Sequence, residues 1–170
     1  MRSGSVLSTG GRWAWVVACA WLLSACAAPQ WQKPGTPAAQ IAQDMGQPQV
    51  RAALPDGGER WVYSRQPAGQ QVFHMVMDAQ QRLSRVEQVL QEAHFHRLRP
   101  GADNRQTVFQ YFGKPALVER VGNFNGDIWT YRISENGIDR LAHVFIDPQG
   151  SVARLMFTDE PRNEPGDRQH

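Results

Sequence analysis

An internal repeat limits the possible folds of this chain more than any other feature, because the same motifs occur twice between residues 34 and 157. Pro-Gly, Gly-x-Pro and Trp-x-Tyr recur in the same order, and HMVMDAQQRLSRV from His74 matches HVFIDPQGSVARL from His143. The offset between the copies grows from 66 at Pro34 to 69 at His74, so the extra residues lie between motifs, where loops accept them. Two copies are too few for a solenoid and predict a paired structure.

Each copy begins with the pattern of a short helix. In the first copy we predict Thr36 as the N-cap, Pro37 as the first helical residue and Gly46 as the stop. In the second copy Asp103 or Asn104 is the expected cap. The apolar stripes are Ala38, Ile41, Ala42 and Met45 in the first copy and Val108, Phe109 and Phe112 in the second. Because such short helices are unstable alone in water, they need a sheet to pack on.

Strand patterns follow each helix, and both copies contain a tight turn. The predicted strands are residues 59–65, 71–77 and 82–89, then 127–133, 139–146 and 151–157. DPQG at 147–150 favours a type I turn and DAQQ at 78–81 is its weaker counterpart, so the hairpins are antiparallel. Between the copies, Phe95 and Leu98 at i, i+3 favour one short helix. We therefore predict an α+β fold of two tandem units, each with one or two short helices packed on a three-stranded antiparallel sheet.

The amino terminus has the layout of an export signal. Arg2 and Arg12 precede an unbroken apolar run at 13–23, which falls short of the ~20 residues that a membrane-spanning helix needs. The run ends in Leu-Ser-Ala-Cys at 23–26, which resembles a bacterial lipobox. That resemblance implies cleavage before Cys26, a diacylglycerol on its thiol and an acylated new amino terminus, and several acyl chains anchor a protein lastingly where one does not.

Two alternatives bear on this signal. A plain secretory signal would be cut near Ala25 or Ala28 and would leave Cys26 incidental. For a lipoprotein, Ala27 stands where an Asp would resemble the inner-membrane retention signal, so the outer membrane, with the protein at its periplasmic face, is favoured.

Charge and cysteine content indicate which partners and which covalent cross-links are expected. The signal at 1–25 holds two arginines and no acidic residue, so the 18 basic and 16 acidic residues of the chain leave 16 of each in the mature protein. A neutral mature domain gives no indication of nucleic-acid binding. Cys19 leaves with the signal and Cys26 would be a thioether, so no intramolecular disulfide is expected.

The order of the motifs resembles a known family. A helix ending in Gly-x-Pro, a Trp-x-Tyr strand and a hairpin with Asp-x-x-Gly are similar to the SmpA/OmlA family, the BamE-type lipoproteins of outer-membrane β-barrel assembly. The similarity covers Trp31 to Phe157, and the lipobox fits it. That family normally carries one unit per chain, whereas this chain has two. Its helix usually begins with Gly-Met-Thr, and the corresponding residues here are Gly-Thr at 35–36 and Gly-Ala-Asp at 101–103. Two fused units are similar to the β-lactamase-inhibitor-protein-like fold, in which tandem repeats form one concave sheet.

No pattern of catalytic residues emerges from the sequence, and we predict neither enzymatic activity nor a cofactor. Glu92, His94 and His96 would share a face on a strand and could then hold zinc, but on the favoured helix His94 points away, so no metal site is predicted. His74 and His143 occupy matching strand positions and are expected to be structural or surface residues.

Two sets of residues are candidates for binding. Trp61 with Tyr63 and Trp129 with Tyr131 each share a strand face, so they belong either to the core or to an open binding face. Arg97, Arg99 and Arg105 surround the junction of the copies and form a basic cluster that anionic lipid head groups or an acidic partner would contact. The alternative for this cluster is a solvated loop.

The sequence thus predicts an outer-membrane lipoprotein that acts as a non-catalytic protein-binding scaffold in β-barrel assembly or envelope integrity. The alternative is a membrane-tethered inhibitor or binder of a periplasmic enzyme. Expected partners are envelope proteins, including barrel-assembly subunits. The segments are the signal at 1–25, the lipidated cysteine and tether at 26–35, the two units at 36–90 and 91–158, and a disordered tail at 159–170.

Overall fold

The computed structural model describes residues 28–161, which form two four-stranded antiparallel sheets with three short helices. The signal segment, Cys26 and residues 162–170 of the expected tail lie outside this range. Sheet 1 contains β1 (Val50–Ala53), β2 (Glu59–Ser64), β3 (Val72–Met77) and β4 (Leu83–Gln88). Sheet 2 contains β5 (Leu117–Glu119), β6 (Asp127–Glu135), β7 (Ile138–Ile146) and β8 (Val152–Asp159). The helices are α1 (Ala38–Met45), α2 (Glu92–Phe95) and α3 (Arg105–Phe112), and a 3₁₀ turn covers Pro29–Trp31.

The two sheets match each other strand for strand. Both have their strands in sequence order. Trp61 pairs with Met75 in sheet 1, and Trp129 pairs with Val144 at the corresponding place in sheet 2. Both carry a register shift at the same point of the last hairpin, between Val76 and Met77 and between Phe145 and Ile146. The α+β architecture with two antiparallel sheet units is therefore present. Residues that match between the two copies in the sequence also occupy matching positions in the two sheets.

The expectation of three strands per sheet was wrong, because each sheet has a fourth strand at its edge. The additional strands, β1 and β5, follow the Gly-x-Pro stop of the preceding helix and pair with β2 and β6. They span only four and three residues and show no clear alternation of apolar and polar residues. Short edge strands are common because they limit unwanted pairing with other chains, and their brevity hides them from pattern analysis.

The helix caps differ between the two units. Asn104 caps α3, since its Oδ1 accepts a hydrogen bond from the Thr107 N–H at 3.0 Å. Asp103 instead accepts from the Arg99 N–H. The prediction for Thr36 was wrong: the N-cap of α1 is Pro37, and the Thr36 hydroxyl donates to the Lys33 carbonyl at 2.7 Å.

Sheet 1 is covered on both faces. Helix α1 packs on one face, where Ile41 meets Trp61 and Met75. Helices α2 and α3 cover the other face, where Val62 joins the same core cluster as Phe112. As a result β3 is buried at every position.

Sheet 2 has helices on one face only, and on its other face the loop between β5 and β6 places Phe124 against Phe145. Tyr131 and Val144 pack against Phe112 of α3, so α2 and α3 lie between the two sheets. On the opposite face Leu117 and Met156 remain 52% and 38% exposed. The layers thus run α1, sheet 1, α2 with α3, and sheet 2.

Two smaller observations complete the fold. The last strand reaches Asp159 and Glu160 pairs with Arg132 at 2.6 Å, so ordered structure continues past the expected start of the tail at 159. Within residues 28–161, none of the helices has the length and apolarity needed to span a bilayer.

A candidate protein-binding surface on sheet 2

The uncovered side of sheet 2, which we call the open face, is the surface best suited to contact another molecule. Its central row runs across all four strands through Leu117, Thr130, His143 and Met156. The next row consists of Glu119, Ile128, Phe145 and Arg154. These residues share one side because directly paired residues of an antiparallel sheet point the same way.

The open face is concave and mostly apolar. A cavity of about 390 Å³ lies over the middle strands and is lined in part by Ile128, His143, Phe145 and Met156. Phe145 lies at the floor, edge-on to the ring of Phe124 at a centroid distance of 5.0 Å. A concave apolar surface with a few polar groups is the usual form of a binding site.

Charged groups flank the apolar centre at opposite edges of the sheet. The Arg154 guanidinium carbon lies 3.5 Å from the centroid of the Phe145 ring, where a cation is attracted to the π face. Glu119 lies on the edge strand at the other end of the same row. The open face therefore offers an apolar centre between a cationic and an anionic side.

His143 is the polar group at the centre of the open face. Its Nδ1 lies 2.9 Å from Thr130 Oγ1 and its Nε2 lies 2.9 Å from Thr158 Oγ1. Burial lowers the pKa of His143, against a smaller opposing effect of Glu119. A neutral imidazole whose Nδ1 is held by the buried Thr130 hydroxyl can exchange the Thr158 hydroxyl at Nε2 for a partner's polar atom without carrying charge.

The Trp-x-Tyr side chains lie on the face of sheet 1 that α1 covers and on the face of sheet 2 that α2 and α3 cover. Trp61 and Tyr131 are 2% and 0% exposed and belong to the core. Tyr63 and Trp129 are partly buried against the two core clusters. Burial raises the pKa of Tyr63 to about 12 and raises that of Tyr131 as well. None of the four side chains lies on the open face.

The three arginines of the expected basic cluster are exposed but separated by their partners. Arg99 pairs with Asp103 at 3.3 Å, and Arg105 pairs with Asp127 at 2.5 Å. Arg97 donates to the Tyr111 hydroxyl at 3.3 Å. Hydrogen bonding from Arg120 lowers the pKa of Asp127, so this carboxylate stays charged beside two guanidinium groups. The junction is therefore a set of local ion pairs rather than an unopposed basic patch.

The Glu92, His94 and His96 segment is the helix α2 with its C-cap, and its side chains diverge. Glu92 contacts His96 at 3.4 Å and also pairs with Arg140. His94 is buried and its Nδ1 lies 3.1 Å from the Tyr111 hydroxyl. Over residues 28–161 no group of three potential ligands comes together to hold a metal ion.

The comparisons with known proteins do not assign a family. No family model matches the chain, and no curated protein sequence does so. One similar solved structure is that of a DUF4309 family protein from Bacillus subtilis, with 12% identity over 72% of this chain and 77% of that one. The TM-score of 0.31 is too low for that likeness to bear on fold or function.

The residues of the open face were missed by the sequence analysis, although a signal for them exists. Leu141 and Phe145 alternate with Ala142, Val144 and Ile146, so both faces of β7 carry apolar residues. A strand with two such faces is normally covered on both sides. The alternation could therefore have indicated a second apolar face on sheet 2 that needs a covering partner.

Proposed function

We propose that this protein is an outer-membrane lipoprotein, anchored through Cys26 at the periplasmic face, that acts as a non-catalytic protein-binding scaffold. The observation that carries the proposal is the open face, an apolar concave surface with Leu117 and Met156 exposed on a sheet whose twin is covered. Exposed apolar patches on otherwise well-packed domains are typical of interaction sites. The lipobox-like residues 23–26 support the anchor.

The process we propose is outer-membrane β-barrel assembly or envelope integrity, with envelope proteins, including barrel-assembly subunits, as partners. This part rests on the resemblance of the repeated motifs to the BamE-type family. We do not extend it to head-group binding by Arg97, Arg99 and Arg105, because Asp103 and Asp127 neutralise two of these side chains.

The alternative, a membrane-tethered inhibitor of a periplasmic enzyme, would use the same face. In the fold that suggested it, two units form one continuous concave sheet. Here the two sheets share no ladder and α2 with α3 separates them, which favours the scaffold.

Site-specific photo-crosslinking in the native host tests both functions. A photoreactive residue is placed at Met156 on the open face, and a matched one at Gln40, an exposed position on α1. Crosslinks from 156 but not from 40 to barrel-assembly subunits support the scaffold. A single soluble enzyme supports the inhibitor, and the absence of any protein crosslink from 156 contradicts both.

The anchor is tested independently by the intact mass of the protein isolated from the same cells. We expect a mature chain that begins at Cys26 and carries diacylglycerol and acyl groups. An unmodified thiol at Cys26 would remove the proposed location.

A further inference from the structure

In sheet 1, the face that is equivalent to the open face is occupied by the C-terminal end of helix α3. His74 lies at the position of His143, and its Nε2 is 2.6 Å from the Tyr111 carbonyl oxygen. The Tyr111 ring meets the His74 ring edge-on at a centroid distance of 4.6 Å. Arg60 donates to the Gln110 carbonyl at 3.3 Å.

These contacts satisfy a general need of helices. The last four carbonyl groups of an α-helix have no partner within the helix, and they carry partial negative charge. In α3 the Gly113 N–H bonds the Phe109 carbonyl, which leaves the carbonyls of Gln110 and Tyr111 to outside donors. Sheet 1 is thus a receptor for a helix C-terminus with an aromatic residue near its end.

Sheet 2 repeats several parts of this receptor, and among residues 28–161 no helix lies on this face. His143 takes the place of His74, and the surrounding residues at the positions of Val50, Val76 and Val72 are Leu117, Phe145 and Leu141. These three positions are at least as apolar as in sheet 1, while Thr130 stands at the position of Val62. At the position of Arg60, Ile128 replaces the guanidinium group. Arg154, one strand beyond Phe145, corresponds to Arg85 in sheet 1 and supplies the cation of this face.

The imidazole of His143 is arranged so that an incoming carbonyl can bind it. The Thr130 hydroxyl can donate to Nδ1, which leaves the proton on Nε2, the same atom that His74 uses. That Nε2 now contacts the Thr158 hydroxyl, whereas Val89 occupies the equivalent position in sheet 1. The Thr158 hydroxyl thus lies where the carbonyl oxygen of a bound helix would lie. It can make room by rotating towards solvent.

We propose that the open face of sheet 2 binds the C-terminal turn of an amphipathic helix from another protein, with His143 Nε2 donating to its terminal carbonyl and an aromatic side chain packed over the imidazole. This inference rests on the proposed binding function and adds the class of partner. The partner's helix end is attracted by its partial negative charge to Arg154 and the imidazole N–H.

A second copy of this chain is a poor occupant. In a second copy, α1 is the eight-residue helix that is not enclosed between the two sheets. When α1 is aligned with α3 by the repeat, Asp44 takes the position of Tyr111. Docking α1 would bury a carboxylate on the apolar floor, at a large desolvation cost. It would also be a head-to-tail contact, which generates rings or open-ended filaments instead of a closed dimer.

The test uses a labelled synthetic peptide of residues 103–114, held helical by a side-chain link between its exposed positions 106 and 110, because a free helix of this length is unstable. The control probe carries Tyr111→Asp. Fluorescence anisotropy measures the Kd of each probe for the full-length mature lipoprotein in detergent micelles. We expect the control probe to bind at least about tenfold more weakly, the loss typical of one good contact.

Variants of the lipoprotein then locate the site. His143→Ala should weaken binding of the first probe about tenfold, and His143→Gln, which keeps an N–H donor, should restore part of it. Leu117→Glu places a charge at a 52% exposed position where sheet 1 has the buried Val50, so its loss of binding remains informative if His143→Ala is unstable. His96→Ala, which changes the exposed C-cap residue of α2, should leave the Kd unchanged.

Two outcomes would overturn the inference: equal affinity for both probes, or binding that survives both His143→Ala and Leu117→Glu. Self-association of the lipoprotein that Leu117→Glu abolishes would also overturn it, since a second copy would then cover the face. If crosslinks from 156 identify a protein while the helical probe does not bind, the helix inference fails and the scaffold function stands. If the probe binds as expected but no crosslink forms in cells, the receptor geometry is supported and the scaffold function fails.

Discussion

At the level of single residues, some equivalent side chains make the same contact in both units, whereas others differ in their exposure to solvent. The Tyr63 and Tyr131 hydroxyls both donate at 2.9 Å to the glycine carbonyl that follows the unit's helix, Gly46 and Gly113. His74 is 2% exposed and contacts α3, whereas its counterpart His143 is only half-buried on the open face. The environment, and not the residue type, therefore separates a core group from a candidate binding group.

His74 should make the stability of the protein depend on pH. Burial lowers its pKa to about 4, against an unfolded value of ~6.5. Between these values the unfolded chain binds the additional proton, so stability is complete above pH ~6.5 and falls as the pH drops towards 4. We expect wild type to lose a few kcal/mol over this range, measured by urea unfolding at pH 7 and 4.5.

The control for this prediction is His74→Gln, which keeps a donor for the Tyr111 carbonyl but does not titrate. His94 and His143, whose pKa values are also lowered, remain in both proteins, so their effects cancel. Asp103 and Asp127 have lowered pKa values and lose their contribution only at more acidic pH. An equal pH dependence in wild type and variant would contradict the role assigned to His74.

At the level of helices and strands, each unit closes on itself through the same few backbone contacts. The helix entry pairs with the final hairpin through Pro37 and Arg82 in the first unit and through Asn104 and Ser151 in the second. A glycine before the second strand, Gly58 or Gly126, lies so close to β3 or β7 that an added Cβ would be 2.2 Å from a backbone oxygen. Close approach of backbones explains why glycine occurs at this position in both units.

The two helix entries also provide a matched pair for a capping experiment. Asn104→Ala removes the side-chain acceptor of the Thr107 N–H and should lower the free energy of unfolding by about 1 kcal/mol. Thr36→Ala should cost less, because the Thr36 side chain does not cap α1. Urea unfolding of both variants measures the difference, and equal losses would show that the cap of α3 contributes nothing specific.

At the level of the whole molecule, the two units share the larger of the two core clusters. The larger core cluster takes Val62 and Val72 from sheet 1, Phe95 and Phe112 from the helices between the sheets, and Ile133 with its neighbours from sheet 2. The rings of Phe95 and Phe112 stack at a centroid distance of 4.0 Å in the middle of this cluster. Because helices α2 and α3 serve both sheets, the units depend on each other for burial.

Shared packing predicts that the two units unfold together. Phe112→Ala should lower the free energy of unfolding by about 3–5 kcal/mol. Native-state hydrogen exchange should show equal losses of protection in β3 and in β7, although the residue belongs to the second unit. Ile41→Ala, in the separate cluster under α1, is the comparison variant. A loss confined to β7 in Phe112→Ala would contradict a common core.

Local sequence patterns were sufficient for the features that depend on neighbouring residues. The hairpin at 147–150, the helix stops at Gly46 and Gly113 and a cap of α3 at Asp103 or Asn104 all follow from conformational preferences within a few residues. The other features of the fold depend on packing between residues that are far apart in the sequence. Alternation shows that a strand face is apolar, but it does not say whether a helix 50 residues away will cover it, since burial depends on which elements meet in space. For that reason the sequence identified the duplication, whereas the occupied face of sheet 1 and the open face of sheet 2 became visible only in the assembled fold.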